Sequence, residues 1–188
     1  MSHTPRIPPV MPPYPPDIDE SLRAMMPRNS PVEPLKAFRT FVQNPVLAAA
    51  MQPLGHHVLG KSRTIDLRDR EILIDRVCAR CGCEYEWGVH ATFFAERAQL
   101  TPEQLAATVT AGADATVWSE RDALLIRLVD ELHDTAQVSD ALWAALDAHW
   151  TQPQLLELLL VVGWYHAIAF LLNGCRVERE EWAATFPT

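Results

Sequence analysis

Apolar residues recur at helical spacing along most of the chain, and no stretch alternates apolar and polar residues as a half-buried strand does. The pattern predicts helices over 34–42 and over Pro45–Leu59, the latter stopped by Gly60. Asp66 is placed to cap a helix over 67–81, with Leu67, Ile74, Val77 and Cys78 on one stripe. Gly82 breaks it, and the next helix is predicted over 83–99. Thr101-Pro102-Glu103-Gln104 has proline at the first helical position and an acid after it, a helix start that runs to Gly112. Ser119 opens a helix over 120–134, where Leu124, Leu125, Leu128, Val129 and Leu132 repeat, and Ser139 opens one over 140–150. Thr151-Gln152-Pro153 opens a long apolar helix ending near Asn173-Gly174, and a last short helix is expected over 177–184. The fold class is all-α.

Proline changes the picture at one end. Residues 1–34 hold ten of the 15 prolines, and proline lacks the amide donor and clashes in helix interiors. Residues 1–31 therefore read as an extended Pro-rich arm, with one short helix around 18–26, either disordered or wrapped over a neighbouring subunit. Residues 32–188 read as one helical domain, consistent with a length of 188 residues. The arm has no apolar core of the kind a secretory signal needs. The apolar run 158–172 is 15 residues long and carries His166, short of the ~20 that a membrane span requires. A cytoplasmic protein is expected.

The net charge of −8 argues against nucleic acid and anionic membrane as partners. Three of the four cysteines fall within six residues, at Cys78, Cys81 and Cys83, which fits a reducing compartment better than a disulfide framework. The seven histidines form no recognisable zinc-ligand pattern, so no metal or cofactor is expected. There is no Gly-rich phosphate loop and no Gly-x-Ser-x-Gly elbow.

Chemistry concentrates in residues 70–90. Cys83 falls at a helix start, where orphan amides and the helix dipole favour a thiolate. Cys83, Glu86 and His90 follow an i, i+3, i+7 stripe, so a thiol, a carboxylate and an imidazole share one seam. Such a Glu–His pair, partly buried, moves protons near neutral pH. Glu71 sits on the preceding helix, which can pack back after Gly82 and supply a second carboxylate. Each residue also has a plain structural reading. A Glu/His pair four apart is commonly a surface pair worth about 0.2–0.5 kcal/mol, and free cysteines are often inert in cores. Clustering at one turn brings the functional reading level with the structural one. Cys78-Ala79-Arg80-Cys81 is a Cys-x-x-Cys, but it ends a helix, where the dipole disfavours thiolate. His133 near a helix end and His166 among apolar residues both have sufficient structural explanations.

The run resembles the signature of the carboxymuconolactone decarboxylase family and its alkylhydroperoxidase-D-like relatives. The peroxidase-type pattern there is Glu, eleven residues, Cys-x-x-Cys, three residues, His. Glu71, Cys83 and His90 match it, and Glu86 stands at the second cysteine. The decarboxylase-type branch keeps the Glu and the His, lacks the cysteine pair, and typically carries an acid where Glu86 stands. The resemblance covers roughly residues 67–177, including Asp130-Glu131-Leu132-His133 and Gly163-Trp164-Tyr165-His166. It implies an alkylhydroperoxidase-D-like helical fold, a homo-oligomer, and a site of Glu71, Cys83, Glu86 and His90 acting on a small molecule.

Of the activities this implies, the expected one is a peroxidase-like thiol oxidoreductase. Cys83 would be its reactive thiol, with Glu71, Glu86 and His90 as a proton relay on a hydroperoxide. The departure at Glu86 breaks the usual dithiol cycle and leaves Cys83 to form a sulfenic acid resolved by another thiol, with Cys81 and Cys78 as substitutes. The alternative is a cofactor-free decarboxylase-type enzyme acting on a small carboxylated lactone, with His90 as general acid/base. A non-catalytic helical binding protein is the third reading.

Overall fold

The computed structural model describes residues 4–27, 30 and 32–187. Among them are nine α-helices and no strand, as the periodicity predicts. These are α1 (Pro16–Met25), α2 (Lys36–Phe41), α3 (Pro45–Leu59), α4 (Leu67–Arg80), α5 (Glu84–Phe94), α6 (Pro102–Thr110), α7 (Glu120–Thr135), α8 (Asp140–Asp147) and α9 (Gln152–Cys175). The starts follow cap chemistry closely. Asn44, Asp66, Thr101, Ser119 and Ser139 each accept a backbone amide from the first turn of the helix that follows. Thr101 and Gln104 cap each other reciprocally.

The chain divides into two compact units. The first comprises residues up to Arg63 together with Leu172–Glu181. Leu22, Val42 and Ala48 form its core, with Val10, Tyr14, Ile18 and Phe38 packed around them. The Pro-rich segment has few amides to offer and uses them here. Arg6 donates its N–H to the Cys175 carbonyl at 2.8 Å, and Val10 to that of Arg39 at 3.0 Å.

The second unit, Thr64–Leu171 with Trp182–Thr188, is built on α4, which packs against α5, α6 and α7. Residues 69–78 of α4 are all buried, charged ones included. A row of ion pairs joins α4 to α7: Arg68 with Asp122, Arg76 with Asp130, and Arg80 with Asp134. Each pair is separated by 54 residues in sequence, so the two helices run in the same direction and in register. Asp69 extends the row in the other sense: it accepts Arg121 and also the Trp150 indole N–H at 2.7 Å.

Three boundaries differ from the sequence reading. The helix expected over 83–99 stops at Phe94, and the chain turns through Gln99 at φ 56°, whose neighbour Leu100 donates to the Ala95 carbonyl. The helix expected over 140–150 ends at Asp147. No helix forms over 177–184. Within the second unit, Ala184 donates its N–H to Thr92 Oγ1 at 3.0 Å, and Phe186 to Glu84 Oε1 at 2.8 Å. Side chains of α5 thus take up amides that a terminal helix would have used.

The apolar count over 158–172 also understates α9, which has 24 residues and is long and apolar enough to cross a membrane by length and composition. Leu155, Leu158, Val161, Val162, Tyr165 and Ala169 are buried, while Leu156, Leu160 and Phe170 are exposed. The helix therefore has one core face and one bare apolar face.

Gly88 in α5 lies directly beneath the C-terminal tail. A Cβ there would fall on the Ala184 carbonyl oxygen and against the Ala183 side chain. Gly88→Ala is therefore expected to dislodge the tail and cost about 1–3 kcal/mol, as overpacking does. Thermal unfolding and proteolysis at the C-terminus would check it; an unchanged melting temperature with a protected tail would refute the account.

Candidate functional site

The turn between α4 and α5 sets the geometry. Gly82 takes φ +59°, a left-handed conformation that glycine enters without cost. It donates to the Ala79 carbonyl at 3.0 Å, and Cys83 donates to the Cys78 carbonyl at 2.8 Å, the two bonds of a Schellman cap. Cys83 then serves as N-cap of α5. One residue thus closes α4 and opens α5, and the two helices fold back on each other.

This brings Glu71, from the second turn of α4, against His90, from the second turn of α5. His90 Nδ1 lies 2.7 Å from Glu71 Oε2. On its other side, His90 Nε2 lies 3.1 Å from the Tyr165 hydroxyl of α9 and 3.5 Å from Glu86 Oε1. The second oxygen of Glu71 pairs with the Arg70 guanidinium. Glu71 is wholly buried, Arg70 and His90 almost so, whereas the Glu86 side chain keeps 14% of its exposure. Phe94 covers the cluster, with the Arg70 guanidinium 4.8 Å from its ring centre and the His90 ring 5.1 Å away.

The charges balance. Burial by itself would strip the proton from His90, but the Glu71 carboxylate outweighs it and Glu86 adds to the effect, so His90 titrates at about 10. At neutral pH the ring is an imidazolium, both N–H groups facing acceptors. Arg70 and His90 carry two positive charges against the carboxylates of Glu71 and Glu86. Asp75, one turn on from Glu71, has an Oδ1 with no hydrogen-bond partner. Burial first and Glu71 second hold its carboxyl well above the usual carboxylate range. Burial, with Glu86 and Glu71 behind it, likewise holds the Tyr165 hydroxyl protonated.

The fourth expected residue behaves differently. Cys83 is fully buried. Burial pushes its thiol up to about 12; the Glu86 amide acts against this, and the charges of Glu86 and Cys81 act with it. The expectation of a thiolate favoured by the helix start is thereby corrected. A helix terminus offers about 0.3–1 kcal/mol, less than the ~1.4 kcal/mol of one pKa unit. Desolvation is the larger effect, and the nearest formal charge has the wrong sign. Burial likewise holds the Cys78 thiol well above the ordinary thiol range, and all four cysteines are unbridged.

Arg70, Asp75 and Tyr165 belong to the cluster and were not singled out from sequence. Arg70 and Asp75 flank Glu71 at i−1 and i+4, and the six charged residues among the nine of 68–76 are the available signal. Tyr165 comes from a helix 75 residues from His90, and its one signal is its place in the Gly163-Trp164-Tyr165-His166 string of the resemblance.

Because the folded-state value of His90 lies above its ordinary one, its contribution to stability is complete below about pH 6.5 and is lost as pH rises through about 10. The melting temperature is expected to fall across that window in the wild type and more shallowly in His90→Gln, measured by calorimetry against pH. Parallel curves would remove the buried imidazolium. Glu71→Ala leaves two buried cations without their shared partner and is expected to cost about 3–5 kcal/mol in denaturant unfolding.

No curated protein matches the chain. Solved structures do. A peroxidase-related protein from Silicibacter sp. TM1040 aligns over 100% of both chains at 13% identity and a TM-score of 0.79. The debrominase Bmp8, bound to 2,3,4-tribromopyrrole, aligns over 97% of this chain and 94% of its own, at 13% identity and a TM-score of 0.76. A protein of unknown function from Agrobacterium tumefaciens, titled a putative antioxidant defence protein AhpD, aligns over 73% of this chain and 93% of its own, at 17% identity and a TM-score of 0.67. At these identities the likeness is one of fold, and that fold is the alkylhydroperoxidase-D-like helical one. Residues 45–127, which hold α3 to α6 and every Glu, Cys and His of the α4–α5 cluster, match the model of the carboxymuconolactone decarboxylase family, and it is through that segment that the chain is similar to this family.

Proposed function

We propose that the chain is an enzyme that moves protons to and from a small substrate through the Glu71–His90 pair, without a thiol intermediate. The observation that carries this reading is the buried imidazolium between two carboxylates, with Tyr165 on the same ring nitrogen. His90 is held charged in a nearly dry site, so it is a general acid and an electrostatic anchor at neutral pH. Glu71 fixes the tautomer and orientation of the ring; Arg70 neutralises Glu71 in turn. Glu86 has the most exposed side chain of the three groups that face the ring nitrogens and is the point where a proton passes between His90 and substrate. A substrate gaining negative charge on oxygen, such as an enolate from a small carboxylated lactone, would be stabilised by the imidazolium and the Tyr165 hydroxyl.

The thiol peroxidase reading has one observation in its favour. Cys83 begins the helix that carries Glu86 and His90, and its thiol interacts electrostatically with Glu86 and Cys81. Two of the similar structures are a peroxidase-related protein and a putative antioxidant defence protein. Burial and protonation of the sulfur weigh against it, since the thiolate is the nucleophile.

The bare apolar face of α9, with Leu156, Leu160 and Phe170 exposed, supports self-association as part of the same proposal.

The two chemistries separate on single substitutions. His90→Gln and Glu71→Gln are expected to lower turnover of a carboxylated lactone about 10²–10⁴-fold, while Cys83→Ser leaves it within a few-fold. A brief stoichiometric hydroperoxide pulse followed by mass spectrometry should leave Cys83 as free thiol. Rapid, selective oxidation of Cys83 would overturn the proton-transfer reading and support the thiol one.

A further inference from the structure

A second cluster of chemically capable side chains lies outside the Glu71–His90 site. It joins three helices in the second unit: Cys81 caps α4, His133 lies in the last turn of α7, and His166 lies inside α9. One ligand atom from each falls within 4.8 Å of the others. His133 Nδ1 and His166 Nε2 are 2.9 Å apart. All three side chains are half-buried, accessible to an ion and still held by their helices.

The tautomer of His166 is fixed by its other nitrogen. His166 Nδ1 lies 2.8 Å from the Val162 carbonyl oxygen, which can only accept, so Nδ1 bears the proton and Nε2 presents a lone pair. A ring N–H given to a backbone carbonyl is the usual outer support of a metal-bound histidine. Two nitrogens bound at about 2.0–2.1 Å to one tetrahedral ion sit roughly 3.3 Å apart, and a thiolate sulfur at about 2.3 Å sits roughly 3.5 Å from each. The observed spacings need only small side-chain adjustments to reach those values. Arg80 is the nearby cation, and its charge is taken up by Asp130 at 3.1 Å and Asp134 at 2.5 Å.

We propose that Cys81 Sγ, His133 Nδ1 and His166 Nε2 bind one borderline-soft divalent cation of the zinc class. One thiolate and two imidazoles suit Zn²⁺ and its neighbours in the first transition row, and exclude the oxygen-seeking Mg²⁺ and Ca²⁺. Binding releases the Cys81 thiol proton to solvent and needs neutral His133. Three protein ligands leave a fourth position for water or a small anion, as in catalytic rather than closed structural zinc sites. The ion would tie α4, α7 and α9 together and would occupy Cys81, removing it as a partner for Cys83. None of its ligands belongs to the Glu71–His90 cluster, so this proposal stands or falls apart from the proposed function.

The test uses the untagged full chain, stripped with a chelator and titrated with Co²⁺ and then Zn²⁺. One equivalent of Co²⁺ is expected to give tetrahedral visible absorption and a thiolate-to-cobalt band in the near ultraviolet, both displaced by Zn²⁺. Cys81→Ser should abolish the near-ultraviolet band. His133→Gln or His166→Gln should weaken binding by more than the roughly tenfold that outer-shell changes cost. Should a variant fail to fold, the wild type still decides: one equivalent of Zn²⁺ is expected to protect Cys81, and not Cys175, from alkylation read by mass spectrometry. A cobalt band that survives Cys81→Ser, or alkylation of Cys81 unaffected by Zn²⁺, overturns the site.

Discussion

The buried α4–α5 cluster depends on a carboxylate that has no access to water. Glu71 sits in a helix whose residues 69–78 are all buried, and an isolated carboxylate there would be too costly to keep ionised. It persists because Arg70 takes one oxygen and His90 the other. The same arrangement holds His90 charged, since its nearest partner is an anion that cannot be solvated instead. The pair is mutually required, and α4 is buried along this length with most of its charged residues paired within the helix, on α5 or on α7. Arg76 shows the principle away from the site: its guanidinium pairs with Asp130 and donates to the Thr108 and Ala111 carbonyls. Such ionic burial contributes little net stability, but it penalises any packing that leaves one charge unmatched. The constant spacing of the α4–α7 pairs makes that penalty specific for one register.

Local chemistry made much of this fold legible. Cap residues and glycines act within a few residues of themselves, so Asp66, Ser119, Ser139 and Gly60 place helix ends correctly. The Glu71–Cys83–Glu86–His90 grouping was legible because Gly82 forces a tight reversal, and reversal brings the second turns of two adjacent helices together. Non-local effects were not. The α4–α7 ladder depends on a relation between positions 54 apart, and no single helix advertises it. The acceptors of the Ala184 and Phe186 amides, Thr92 and Glu84, likewise lie far upstream of the tail they hold. Tyr165 and the Cys81–His133–His166 cluster need α9 laid across earlier helices, which periodicity cannot supply.

The cysteine illustrates how a correct local rule loses to a larger effect. A helix N-cap does favour negative charge, and Cys83 is an N-cap. The rule assumes some solvent at the terminus. Here the terminus is also the closure of α4, so the Schellman turn that creates the N-cap buries it. Glu86 then adds a formal negative charge one turn along. A position that reads as activated from one helix is deactivated by the pair.

Substituting a carboxylate for the second cysteine of the peroxidase-type pattern therefore does more than remove a resolving thiol. A dithiol site needs its first sulfur to ionise, and positive or neutral neighbours help it do so. Glu86 opposes ionisation of Cys83 while stabilising protonated His90 on the following turn. One side chain thus shifts the balance at both neighbours in the same direction, away from thiolate and toward imidazolium. A buried network has little dielectric screening to blunt that coupling, so the charge at one position acts on the cysteine and the histidine together while the helices around it stay as they are.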